Sequence, residues 1–157
     1  MTVKEYLMQG YRLNNRIKIY EEEIGRLREL AATAGGISYN SEHTNPNKNT
    51  KSPFEALLLE IIEMEQELSE MLRVLILFKR ELLGFEELIE NKDERLVIHY
   101  RYVDNLSFQE IGDKLCADRH TVKRWHDRAL SRMQLPANPT VIDRKLLKKI
   151  KVAPNVP

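Results

Sequence analysis

The sequence predicts an all-α fold in which a long antiparallel coiled-coil helical hairpin is followed by a helix-turn-helix. Two segments, residues 6–31 and 54–89, repeat apolar residues at alternating spacings of three and four, the pattern of a helical seam. After them, short segments begin with helix-capping residues, and the last of these carries apolar and basic residues on different sides. The chain therefore divides into residues 1–91, residues 92–134 and a basic tail, 135–157.

The first helix begins at a capping box, because Thr2 and Glu5 can each bond the other's free backbone N–H. Its seam is weakened at one glycine, Gly10. The seam residues are Tyr6, Gly10, Leu13, Ile17, Tyr20, Ile24, Leu27 and Ala31.

A flexible linker is predicted at residues 35–51, where Gly, Ser, Asn, Thr and Pro replace the apolar repeat. Ser52 then caps a second helix, with Pro53 at its first position and Glu55 completing another capping box. Two helices joined in this way form a hairpin of roughly 50 Å. The second seam comprises Phe54, Leu57, Ile61, Met64, Leu68, Met71, Leu75, Phe78, Leu82, Phe85 and Ile89.

The second helix carries another apolar row beside its seam, and one partner helix would not cover both. This row predicts self-association into a dimer or larger homo-oligomer such as a four-helix bundle. The alternative is that the row packs against the C-terminal domain of the same chain. The predicted oligomerisation residues are Leu58, Ile62, Leu72, Ile76 and Leu83.

Residues 92–134 predict three short helices with a tight last turn, which is typical of a helix-turn-helix. Asp93 caps the first, over residues 93–104, and Ser107 with Glu110 forms a capping box for the second. Asp118 caps a basic third helix from Arg119 to about residue 133.

The packing positions of such a motif are also occupied. Cys116 stands at the turn position that glycine often holds, which costs about 1 kcal/mol if the backbone is left-handed there. The small residue where the backbones approach is Gly112, and the apolar positions are Ile111, Leu115, Val122 and Trp125.

A polyanion partner is predicted for the C-terminal part of the chain. Residues 1–91 carry 11 Lys+Arg against 16 Asp+Glu, whereas residues 92–157 carry 14 against 8. Projected at about 100° per residue, the last helix separates its basic side chains from its apolar ones, so it can enter the major groove of double-stranded DNA. The predicted DNA-binding residues are Ser107, Arg119, His120, Thr121, Lys123, Arg124, Asp127 and Arg128.

These residues have different predicted roles. Arg119 and Arg124 can donate bidentately to guanine, while Lys123 and Arg128 suit phosphates. His120 can donate or accept a hydrogen bond, and Thr121 can bond a phosphate or touch a thymine methyl. The free N–H groups at the helix starts marked by Ser107 and Asp118 can face the phosphates. The bland alternative is that the basic side is an ordinary solvated surface.

The stretch "VIHYRYVDNLSFQEIGDKLCADRHTVKRWHDRAL", residues 97–130, resembles region four of bacterial sigma factors. The matching residues are Arg101, Tyr102, Leu106, Ser107, Glu110, Ile111, Gly112, Leu115, Arg119, Val122, Ala129 and Leu130. The resemblance implies that the last helix reads promoter DNA, with Arg119, His120, Lys123 and Arg124 facing the DNA. No segment resembles the sigma-factor region that melts the promoter, so initiation by this chain alone is not expected.

Residues 1–134 as a whole resemble the sigma-like regulators encoded by phages of Gram-positive bacteria, related to the RinA and ArpU late-gene activators. This resemblance implies an activator of phage late or packaging genes that acts with host RNA polymerase. One alternative is a packaging-site binder like the phage small terminase subunit, although small terminases generally place the DNA-binding motif first. Another is an adaptor that binds polymerase or another acidic partner and never binds DNA.

Other classes of function find little support in the sequence. No apolar run is long enough to span a membrane, and the single cysteine, Cys116, fits a reducing compartment, so a soluble cytoplasmic protein is expected. No nucleophile–base set or phosphate loop indicates an enzyme or a cofactor. The spacing of Cys116, His120, His126 and His99 matches no common zinc finger, so no metal is expected.

Overall fold

The computed structural model describes residues 1–37 and 52–143, which form helices and no strand and confirm the predicted all-α fold. No helix in these two ranges is long and apolar enough to cross a membrane. The helices are α1 (Val3–Ile37), α2 (Pro53–Glu86), α3 (Lys92–Tyr102), α4 (Phe108–Leu115) and α5 (Arg119–Arg132).

Helices α1 and α2 pack antiparallel along their predicted seams. Near the start of α1, Tyr6 contacts the ring of Phe78, whereas Ile24 and Ala31 lie in a cluster with Ile61 near the start of α2. Every residue of the two predicted seams is buried or half-buried, because seams that repeat every three and four residues stay turned toward one another.

Capping fixes where both long helices begin. Thr2 N donates to Glu5 Oε2 at 2.7 Å and Glu5 N donates to Thr2 Oγ1 at 3.2 Å, which confirms the first capping box. At the start of α2, Ser52 Oγ accepts from Glu55 N at 3.2 Å.

Helix α1 runs to Ile37, so the predicted linker boundary at residue 35 is wrong by about three residues. Glycine costs a helix only about 1 kcal/mol per residue relative to alanine, so α1 can continue through Gly35 and Gly36. The rest of the predicted linker, residues 38–51, lies outside the described residues.

Gly10 is a packing position rather than a weak point of the seam. A Cβ atom at Gly10 would lie 2.5 Å from Cε1 of Phe78, a ring that is fully buried. The absence of a side chain at residue 10 therefore lets the Phe78 ring lie against the backbone of α1.

The second apolar row of α2 is exposed. Its five members, Leu58, Ile62, Leu72, Ile76 and Leu83, retain 37 to 59% of their accessible surface. The alternative in which the row packs on the C-terminal domain is therefore wrong for the described part of the chain.

One core joins the end of the hairpin to the three short helices. Tyr6 of α1, Phe78 and Leu82 of α2, Ile98 of α3 and Ala129 of α5 belong to a single buried cluster. The hairpin is therefore the surface on which α3 and α5 pack.

The segment that follows α5 returns along the hairpin. The side chain of Gln9 donates to Thr140 O at 3.1 Å and accepts from Ile142 N at 2.8 Å, and Thr140 also donates to the carboxylate of Glu81. The described start of the predicted tail is thus held on α1 and α2. Residues 144–157 lie outside the described residues.

Candidate nucleic-acid interface

Helix α3 begins one residue earlier than predicted, and Asn91 is its cap. The Asn91 Oδ1 atom accepts from Asp93 N at 3.0 Å and from Glu94 N at 3.1 Å. The predicted cap, Asp93, is wrong because it lies inside the first turn, where its charge still favours the N-terminal end of the helix dipole.

Helix α4 begins at the predicted capping box. Ser107 Oγ accepts from Glu110 N at 3.2 Å, and Ser107 N donates to Glu110 Oε2 at 2.7 Å. The backbone hydrogen bond from Ser107 holds the pKa of Glu110 below its usual value. The Ser107 side chain is thus engaged in fixing the end of α4.

The turn between α4 and α5 requires the residue types that the sequence places there. Cys116 adopts the left-handed conformation, with φ 51° and ψ 43°, as expected for the position that glycine often holds. A Cβ atom at Gly112 would lie 2.6 Å from the carbonyl oxygen of Ala117, so only glycine allows the chain to turn this closely.

The core of the motif holds α5 against α3 and α4. Val97, Ile111 and Val122 are fully buried and form its centre. Leu115 and Trp125 pack against this centre while remaining half-buried. The predicted packing face of α5 is thereby confirmed at Val122, and Trp125 covers its edge.

Six of the predicted DNA-binding side chains of α5 are exposed. Asp118 caps the helix, and its side chain accepts a hydrogen bond from His120 N at 3.1 Å. The exposed residues are Arg119, His120, Lys123, Arg124, Asp127 and Arg128. Four of them, His120, Lys123, Arg124 and Asp127, form the exposed face on the side of the helix away from Val122 and Ala129.

Thr121 is half-buried beside this face. Its hydroxyl accepts a 3.2 Å hydrogen bond from the guanidinium of Arg124. Thr121 therefore steadies the Arg124 side chain at the helix surface.

Arg128 is also exposed, but its side chain points toward Glu94 of α3. Its Nε atom is 4.0 Å from Oε1 of Glu94, and Arg132 Nη1 is 3.5 Å from Oε2 of the same carboxylate. The Glu94 side chain is 1% exposed, and a buried carboxylate requires such cations. Arg128 therefore has an acidic partner within the protein, Glu94, and lies near the flank of α5.

His126 is a buried residue that sequence reasoning missed. Its Nε2 atom lies 2.8 Å from the Tyr102 hydroxyl and its Nδ1 atom 3.0 Å from Asp127 Oδ1. Because a carboxylate only accepts, Nδ1 carries the proton and Nε2 accepts from Tyr102. Burial lowers the pKa of His126 despite the neighbouring Asp127, and burial raises the pKa of Tyr102 to about 12.

The signal for His126 was present in the sequence, since it lies four residues after Val122 and therefore on the same side of α5. Cys116 is exposed at the turn, whereas His126 is held by Tyr102 and Asp127.

The geometry defines a helix-turn-helix whose second helix is exposed on one side. Residues 91–135 match the family model described as Sigma-70, region 4. This part of the chain is therefore a region resembling sigma-70 region 4, which is a DNA-binding helix-turn-helix domain. No curated protein and no solved structure matches the chain.

Proposed function

We propose that this protein is a sequence-specific transcription regulator that reads the major groove of double-stranded DNA with α5. The observation that carries the proposal is the division of α5 into two sides. Val122, His126 and Ala129 are buried, while His120 and Arg124 are exposed on the other side. A helix held from behind in this way can present its first turns to base edges.

The proposal for which genes the protein regulates rests on sequence resemblance. The likeness of residues 1–134 to phage-encoded sigma-like regulators supports activation of phage late or packaging genes together with host RNA polymerase. In that role α5 would select the promoter, and polymerase would supply the DNA opening and the chemistry of transcription.

The test is selection of bound duplexes from a random pool, followed by transcription from the selected site with host RNA polymerase, with and without the protein. The proposal expects an enriched motif and more transcript when the protein is present. If the protein binds polymerase but no duplex, it is an adaptor rather than a DNA-binding regulator. Enrichment of a packaging site that polymerase never uses would replace the proposal by the terminase-like binder.

A further inference from the structure

The exposed row of α2 belongs to a heptad that continues through polar positions. Spacings of three and four connect eight residues of α2, all of them exposed or half-buried. The positions are Glu55, Leu58, Ile62, Glu65, Ser69, Leu72, Ile76 and Lys79. This row lies beside the seam that packs on α1 and is a second potential helix-packing surface.

Between Glu55 and Lys79 the row reads the same from both ends, and Leu83 lies beyond this symmetric part. From its centre, between Glu65 and Ser69, each direction passes one polar residue, two apolar residues and then one charged residue. The two outer charges have opposite sign, since Glu55 ends one half and Lys79 ends the other.

We infer that the protein forms a two-fold dimer in which α2 packs antiparallel against α2 of a second copy, centred near residue 67. In this register Leu58 faces Ile76 of the partner subunit and Ile62 faces Leu72 of the partner subunit. Each contact occurs twice because of the two-fold axis. The inference stands on α2 alone and does not depend on DNA binding.

The charges decide the direction of the two helices. In the antiparallel register Lys79 faces Glu55 of the partner subunit, and Glu65, which is already paired with Arg28 of its own chain, faces a serine. A parallel pairing would also match apolar residues, but it would place Glu55, Glu65 and Lys79 each against its own copy. Like charges directly opposite one another oppose association.

The register has a consequence for the placement of the two reading helices. Helix α2 ends at Glu86, so two copies centred near residue 67 carry their helix-turn-helix regions on ends roughly 57 Å apart at about 1.5 Å rise per residue. This separation exceeds the one helical turn of about 34 Å that joins adjacent half-sites.

Cysteine cross-linking of the full chain separates the two directions. In a Cys116→Gly background, which leaves no native thiol and suits the left-handed turn, Ile62→Cys and Leu72→Cys proteins are mixed and oxidised. The antiparallel dimer gives a disulfide between the two variants, and Ile62→Cys alone gives none, because its two copies lie about 15 Å apart. A disulfide in Ile62→Cys alone overturns the antiparallel dimer.

Charge reversal supplies a second readout by sedimentation at several protein concentrations. Lys79→Glu should weaken the dimer about tenfold by facing Glu55 of the partner subunit, and adding Glu55→Lys should restore the affinity. Glu63→Lys, on an exposed position outside the row, is the matched control. A wild-type monomer at tens of micromolar, or no restoration in the double variant, overturns the inference, and a dimer that binds no DNA overturns only the proposed function.

Discussion

Arg124 and Lys123 are neighbours in sequence but occupy different positions around α5. Arg124 lies near the middle of the exposed face and is steadied by Thr121, whereas Lys123 lies at the flank of that face. Arg124→Ala should therefore reduce preference for one base by about 1 to 3 kcal/mol while affecting random duplex less. Binding titrations against the selected site and its single-base variants measure this difference.

Lys123→Ala is the matched comparison at the flank. As a phosphate contact, Lys123 should contribute equally to specific and random DNA, so its loss should lower the slope of log affinity against log salt by about one. If both variants bind every duplex with wild-type affinity and salt slope, the exposed face of α5 does not contact DNA.

The buried His126 predicts a dependence of stability on pH. Its pKa is lowered from 6.5 in the folded protein by burial, so the unfolded chain binds a proton more readily. Stability from this group is therefore fully present above pH 6.5 and is lost as the pH falls toward the folded pKa. The free energy of unfolding in urea should drop between about pH 7.5 and pH 5.5.

His126→Gln isolates this contribution because the substituted side chain does not titrate. Burial also raises the pKa of Glu86. The Glu86 carboxyl therefore lowers the free energy of unfolding as the pH rises, which is the opposite pH dependence to that of His126. Because Glu86 is present in both proteins, its effect cancels in the comparison. An equal pH dependence of unfolding in the wild type and in His126→Gln would show that His126 does not titrate in this range.

Two of the glycines of α1, Gly10 and Gly25, predict opposite effects of the same substitution. Gly25→Ala should stabilise the protein by up to about 1 kcal/mol, because nothing lies within 4 Å of the added atom and alanine favours helix. Gly10→Ala should instead destabilise it by about 1 to 3 kcal/mol, because its Cβ meets the buried Phe78 ring. Thermal unfolding of both variants at one protein concentration makes the comparison, and equal gains would mean that the Phe78 ring moves aside freely.

The same glycines show what the sequence could and could not predict. Seams, capping boxes and the left-handed turn are local patterns, so the burial of Leu13 and the box at Ser107 followed directly from spacing. The role of Gly10 depends on Phe78, which is distant in sequence and becomes its neighbour only when the helices pack.

At the candidate interface too, some features could be predicted from the sequence and others could not. Exposure of His120 and Arg124 could be predicted from the helical projection. The Arg128–Glu94 contact and the Tyr102–His126 hydrogen bond join α5 to α3, and the crossing of two helices is not encoded in the period of either one. Asn91 was missed for a different reason, since it and Asp93 are both good caps and only packing fixes the first turn.

The hairpin and the helix-turn-helix share one buried cluster, which makes them interdependent. Its members include Tyr6, Leu82, Ile98 and Ala129. The segment after α5 adds a further connection, as Gln9 and Glu81 hold Thr140. Helix α5, attached in this way, keeps a fixed direction relative to α2.

This interdependence predicts that damage to α2 unfolds the reading helix. Leu82 is fully buried in the shared cluster, so Leu82→Ala should destabilise the protein by about 2 to 5 kcal/mol. Trp125 is the single tryptophan, which allows its fluorescence to report on α5 while far-UV circular dichroism reports mainly on α1 and α2. Both signals should shift to lower denaturant by the same amount and remain coincident, as expected for one cooperative unit.

Ile61→Ala, in the cluster farthest along the hairpin from α5, is the matched control for the loss of a buried aliphatic side chain. A Leu82→Ala protein whose circular dichroism transition moves while its Trp125 transition stays in place would show that the hairpin and the helix-turn-helix unfold independently.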